Sequence, residues 1–336
     1  MKRVVTLGEI LLRLSPPDRN RIIGSQSFDV NYGGSEGNVA VALSHFGIDT
    51  ALITKLPDNP IADAAIQQLR GFGVNTDLII RGGERMGLYY LENGYSVRSS
   101  RVVYDRKHSS ISEAEISEFN FDQIFENVDL FHVSGITLGI SEEAYLLARS
   151  FMQEANRRGI KVSFDFNYRS KLWTTDEAKA KFSKVLPYVN IAFAGVLDFT
   201  TFLGIDPEET SNLVTKMDHK KLYKKVNEHY QFDYIVSSYR TVVSASHNEY
   251  QGLVFNGEEA FQSKKYQLDI IDRVGAGDAF TAGFLYSYLC DKEEQYQVQF
   301  AAAAGALKHT IFGDALLSSK EEVENLFQSN TYHVQR

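Results

Sequence analysis

The chain is nearly without cysteine. Cys290 stands alone among 336 residues, which excludes internal disulfides and a cysteine-based zinc site and suits a reducing compartment. There is no run of about 18 apolar residues, so no membrane-spanning helix is expected. Glu9 and Arg13 interrupt the apolar run behind Met-Lys-Arg-Val-Val, and no cleavage signature follows. A cationic excess is also absent: 35 basic residues against 43 acidic give −8, which argues against nucleic acid or an anionic membrane as partner. A few local arginines can still hold an anionic substrate. The eight histidines, His45, His132 and His309 among them, show no metal-ligand spacing and read as structural. No GxxxxGK[ST] stretch occurs, and Phe280 stands where a dinucleotide fingerprint needs its third glycine. A cytoplasmic location is the expectation.

Apolar residues at 43% and charged residues at 23% are ordinary for a soluble globular protein. The length suits one large domain or one with a small appendage, and no internal repeat or linker interrupts it. Residues 3–8 (RVVTLG) read as a buried strand, and from residue 129 strands alternate regularly with helices, for example DLFHVSG, the helix 142–158 and IKVSFDF. A polar helical stretch is expected near 208–230, and a β-ribbon at 241–256. Such alternation predicts an α/β fold with a mostly parallel central sheet covered on both faces. Two excursions, 11–32 and 85–110, lack helical period. Asn93-Gly94 inside the second is a hairpin signal. Together they predict a small β-sheet lid on a single domain spanning 1–336.

The stretch Asp272-Arg-Val-Gly-Ala-Gly-Asp278 runs into an amphipathic helix. Gly275 and Gly277 let the backbone approach a ligand, and the free N–H groups of a helix start can seat an anion. Asp278 then stands where a carboxylate could take a proton from a hydroxyl beside a transferring phosphate. A capped helix behind a glycine turn explains the same residues, and both readings stay open on these residues alone. Gly33-Gly34 ahead of Asn38 reads as a ligand approach or as a tight turn. Asp165, Asn167 and Arg169 alternate at a strand end and face one way for as long as the strand continues. Tyr89, Tyr104 and Arg106 offer flat rings and a guanidinium fork within the second excursion.

DRVGAGDAFTAG at 272–283 and GGSEGNVAVALSHFG at 33–47 resemble the two signatures of the ribokinase-like (PfkB) carbohydrate kinases, in that family's order. GEILLRLSPP, RMGLYYLENG, VVYDRKHSS, DFNYRSKLW and LKHTIFGDALLSSKEEVENL resemble its 2-keto-3-deoxygluconate kinase branch. The resemblance implies a three-layer ribokinase-like fold and ATP-dependent phosphorylation of that sugar acid at its terminal hydroxyl. It makes Asp278 the general base, and the N–H groups of Gly275, Ala276 and Gly277 the anion hole. Gly34, Tyr89, Tyr104, Arg106, Arg169 and Asp314 match positions that bind the sugar acid. ATP is expected near Asn167, Ser238, Gly275 and Gly277, with Mg²⁺ held mainly by phosphates and waters. A monovalent cation near Asp272 and a homodimer through the lid are further implications. The family's Asn-x-x-Glu stretch reads Gly195-Val-Leu-Asp198 here: the asparagine is lost and the carboxylate is one carbon shorter, which makes Asp198 the metal-side residue. A fructokinase-type sugar kinase, or a sugar-acid-binding regulator without catalysis, are the alternatives on the same scaffold.

Overall fold

The structure is a computed structural model that describes residues 1–206 and 216–328. The first part of the helical stretch expected near 208–230, and the polar tail beyond 328, lie outside the described residues. The helix seen in the former region runs Lys216–Tyr230.

Apolar strands buried on both faces form the central layer. Leu130–Ser134 is buried at every residue, and successive residues Leu130 and Phe131 feed two different hydrophobic clusters, as the pleat requires. The strand order is Ala260–Gln262, His247–Phe255, Tyr234–Val242, Ile191–Phe193, Lys161–Asp165, Leu130–Ser134, Arg3–Leu7, Asp49–Leu56, Ile79–Arg81. Tyr266–Asp269 also pairs with His247–Phe255. Pairings from Tyr234–Val242 to Ile79–Arg81 are parallel. Those of His247–Phe255 are antiparallel, so the expected ribbon begins earlier than residue 241. The α/β class, with a mostly parallel sheet between helical layers, is as expected.

Helix starts are fixed by side chains. Ser141 Oγ accepts from Ala144 N at 3.0 Å at the head of Glu142–Arg157, and Thr174 with Glu177 forms a capping box ahead of Thr175–Val185. The alanine run at 301–304 lies in the helix Glu294–Lys308, which packs closely on Ala276–Leu289. A Cβ on Gly283 would stand 2.9 Å from Ala301 Cα, so only glycine permits this approach. His132 and His309 are buried and structural: burial pulls His132 down to about 3 and His309 to about 4, and each bonds through Nδ1, to Ser163 Oγ and Gly305 O.

The two excursions pair into a separate four-stranded sheet, in the order Asp29–Gly33, Leu11–Ser15, Gly87–Glu92, Arg101–Asp105. Asn93-Gly94 does not make the tight turn its dipeptide signals. It opens a longer loop, 93–100, in which Gly94 N donates to Ser100 Oγ at 2.9 Å and Tyr95 bridges Arg98.

Candidate active site

In parallel α/β sheets, ligands gather beyond the carboxyl ends of the strands, and here the loops after several strands converge on one helix start. Ala276–Leu289 begins at Gly275, which is left-handed with φ 78, and no side chain caps it. The first N–H groups of a helix have no intrahelical carbonyl to bond; here Ala276 N makes only a long 3.4 Å bond to Arg273 O, so the start and the helix dipole remain a seat for an anion. Gly275 has no alternative: a Cβ there would stand 1.7 Å from the carbonyl oxygen of Asp314. A Cβ on Gly277 meets nothing within 4 Å, so space lies open in front of it.

Asp278 sits in the first turn, 8% exposed. Its Oδ1 accepts from Ser35 Oγ at 2.8 Å and its Oδ2 from Asn38 Nδ2 at 2.7 Å. Both donors lie on the helix Ser35–His45, whose N-cap is Gly34. A Cβ on Gly34 would meet Glu9 O at 1.9 Å, so the glycine pair lets the two segments touch. Burial raises the Asp278 carboxyl, the bonds from Asn38 and Ser35 pull it back, and the net shift is upward. A carboxylate held in place and made more basic than usual can accept a proton.

A second group of carboxylates stands beside it. The strand Lys161–Asp165 ends before the expected alternation is complete, because Asn167 adopts φ 38. Asn167 Nδ2 donates to Ser35 Oγ at 3.1 Å, and its backbone N donates to Asp165 Oδ1 at 3.1 Å. Burial first, then Asp278 and Asp198, push Asp165 well above its ordinary range. Asp198 accepts from Gly195 N at 2.8 Å, and burial raises it to about 6. Arg169, exposed, opposes all three carboxyls. Excess buried negative charge of this kind fits a cation arriving with a triphosphate. Among the described residues no group of three or more His, Cys, Asp or Glu could hold a metal by itself.

The small sheet contributes a third side. Tyr89 and Tyr104 are cross-strand partners with ring centroids 6.0 Å apart, and the Arg106 guanidinium lies 5.6 Å from the Tyr104 ring. Arg106 Nε donates to Glu9 Oε2 at 2.8 Å, and its Nη2 reaches the same oxygen. Tyr89 Oη donates to Asp314 Oδ2 at 2.5 Å. Burial first and Asp314 second hold that phenol well above its usual range. Asp314 also takes Arg13 Nη1 at 2.6 Å, while Arg13 Nη2 reaches Asp272 at 2.6 Å.

The structure therefore brings Asp278, the 275–277 turn, Gly34 and Asn167 together, and sets Tyr89, Tyr104, Arg106 and Asp314 on one inner face. Ser238 stands apart, exposed on the ribbon opposite Gly252, with no hydrogen bond to the Asp278 group. Sequence reasoning missed Ser35, Glu9 and Arg13 as site residues. The last two carried one usable signal, charges inside an otherwise apolar segment. Asp272, where a monovalent cation is expected, has both oxygens engaged. Oδ1 accepts from Val274 N, and Oδ2 from Arg13 and Gly313 N.

The chain as a whole is similar to known proteins. A 2-dehydro-3-deoxygalactonokinase of Haloferax volcanii is 31% identical over 99% of both chains. The crystal structure of a 2-dehydro-3-deoxygluconokinase from Thermotoga maritima superposes with a TM-score of 0.95 at 43% identity, covering 98% of this chain and 100% of the other. An E. coli protein provisionally assigned as a ribokinase II, solved with ATP and Mg²⁺, shares the fold at TM-score 0.81 and 17% identity, over 98% and 99% of the two chains. The pfkB family carbohydrate kinase pattern matches residues 1–320. With nearly the whole chain matched, and the glycine turn, acid and small sheet arranged as they are, the protein belongs to the PfkB family of carbohydrate kinases.

Proposed function

We propose that the protein transfers the γ-phosphoryl group of ATP to the terminal hydroxyl of 2-keto-3-deoxygluconate or its galacto epimer, giving the 6-phosphate and ADP. The observation that carries this reading is Asp278, a buried carboxylate with raised proton affinity at an uncapped helix start behind a glycine turn. The hydroxyl oxygen attacks Pγ in line, the bond from Pγ to the β,γ-bridging oxygen breaks, and the hydroxyl proton passes to Asp278. Ser35 and Asn38 aim the carboxylate. The N–H groups of Gly275, Ala276 and Gly277 take the charge on the transferring group. Mg²⁺ neutralises the phosphates when bound, with Asp198 the carboxylate available to its water shell. In this reading Asn167, Gly275 and Gly277 serve the nucleotide, and Ser238 with the ribbon is assigned to the adenosine.

Gly34, Tyr89, Tyr104, Arg106, Arg169 and Asp314 form the sugar-acid side in this reading. The sugar acids for which the Haloferax and Thermotoga relatives are named, and the arginines themselves, favour an acid over a neutral sugar. Arg106→Ala and Arg169→Ala are expected to raise KM for the keto-deoxy acid about tenfold or more, since each removes a charge-assisted contact worth about 1.5–3 kcal/mol. Steady-state kinetics on the acid and on fructose read this directly. An unchanged KM for the acid in both variants favours the fructokinase-type alternative.

The chain acts as one kinase domain in the cytoplasm, where ATP is at hand, with segments 11–32 and 85–110 as its lid. The outer face of the small sheet supports a homodimer. Val30, Leu14, Tyr90 and Val103 form one apolar row across its four strands, and Val30 and Val103 are 54% and 45% exposed. Light scattering is expected to give a dimer mass, and Val30→Asp with Val103→Asp to give a monomer. A wild-type monomer at micromolar concentration removes this assignment.

A further inference from the structure

Arg13 is among the largest fully buried side chains of the protein, 1% exposed, yet it lies on a strand of the small sheet. All three of its nitrogens are used. Nε donates to Ser15 Oγ at 2.8 Å, Nη1 to Asp314 at 2.6 Å and Nη2 to Asp272 at 2.6 Å. Burial works against the guanidinium, but Asp314 and Asp272 outweigh it and hold the proton more firmly than in water.

Both carboxylates lead to the anion seat. Asp272 lies in the turn that enters Gly275, and its Oδ1 holds that turn through Val274 N at 3.1 Å. Asp314 packs its carbonyl against Gly275 and gives its remaining carboxylate oxygen to Tyr89. Lys308, fully buried nearby, donates to Ile311 O at 2.9 Å and feels Asp272 and Asp314. One guanidinium thus bridges two carboxylates in this cluster, and both oxygens of Asp272 are already engaged. A monovalent ion does not fit at Asp272.

We infer that Arg13 is a positioning residue that fastens the small sheet to the glycine turn, and that its guanidinium supplies at Asp272 the charge a diffusible monovalent cation would otherwise bring. The inference rests on the kinase reading above. A lysine has one nitrogen and cannot span both carboxylates and Ser15, so charge alone is not sufficient.

The test begins with wild-type protein, on whichever sugar it phosphorylates, or on water as acceptor if it phosphorylates none. Failure of the substrate reading then stays separate from failure of this one. Exchange of K⁺ and Na⁺ for tetramethylammonium is expected to change kcat less than twofold, with thermal unfolding unmoved. Arg13→Lys is expected to lose kcat at least tenfold per folded molecule, with KM for Mg-ATP within threefold. A tenfold stimulation of the wild type by K⁺ overturns the inference whether or not the variant folds. So does a folded Arg13→Lys protein with kcat within twofold of wild type, because a merely structural arginine lowers the melting temperature and leaves turnover alone.

Discussion

Asp278→Asn is expected to fold normally and to lose kcat on the order of 10²–10⁴-fold, the usual contribution of a positioned general base. Asparagine has the same shape and can still meet Ser35 and Asn38, so the loss isolates proton acceptance from positioning. Because burial raises this carboxyl in the folded protein, the folded state binds its proton more tightly than the unfolded chain does. The ionised form therefore costs stability, a cost that appears as pH rises through the ordinary value of 3.8 toward the raised one. Removing the charge is expected to leave the melting temperature at neutral pH equal or higher while activity collapses. The wild-type acid limb of kcat/KM is expected above the ordinary carboxylate range for the same reason. Thermal melts and a pH profile read both. A variant with near wild-type turnover removes Asp278 as the base.

Gly275→Ala is the second large effect. A left-handed non-glycine residue costs about 1–3 kcal/mol, and here the new methyl also collides with the Asp314 carbonyl at 1.7 Å. That oxygen belongs to backbone whose side chain is tied to Arg13 and Tyr89, so it cannot simply swing away. The turn has to move, and a displacement of about 1 Å at a reacting centre costs on the order of 10²-fold in rate. Lower melting temperature and lower kcat are expected together. Gly277→Ala is the contrast, because its methyl meets nothing within 4 Å. It keeps stability, and only turnover or ATP binding suffers. Equal stability of Gly275→Ala and wild type contradicts the geometry.

The sequence made some of this site legible and hid the rest for physical reasons. Asp278, the glycine turn and Gly33-Gly34 are local: their chemistry lies within a few residues, so a motif shows it. The two excursions were legible because alternating residues without helical period have few other fates. Arg13 was hidden because its partners Asp314 and Asp272 lie 301 and 259 residues away, and no local period registers such pairing. Arg106 is legible as a candidate, but its pairing with Glu9, 97 residues away, is hidden in the same way. The alternation of Asp165, Asn167 and Arg169 predicts one strand face, but the positive φ of Asn167 ends the strand and its amide bonds Ser35 instead. Asn93-Gly94 signalled a tight hairpin, and the bond from Gly94 N to Ser100 Oγ closes a wider loop.

The most direct test of the central claim is ADP release from purified protein with Mg-ATP, run in parallel on 2-keto-3-deoxygluconate, 2-keto-3-deoxygalactonate, fructose and ribose. The account predicts turnover of the keto-deoxy acids with kcat/KM far above that for either neutral sugar. Turnover of fructose or ribose alone contradicts the sugar-acid site proposed above, and silence on all four with ligand binding intact contradicts the kinase reading itself.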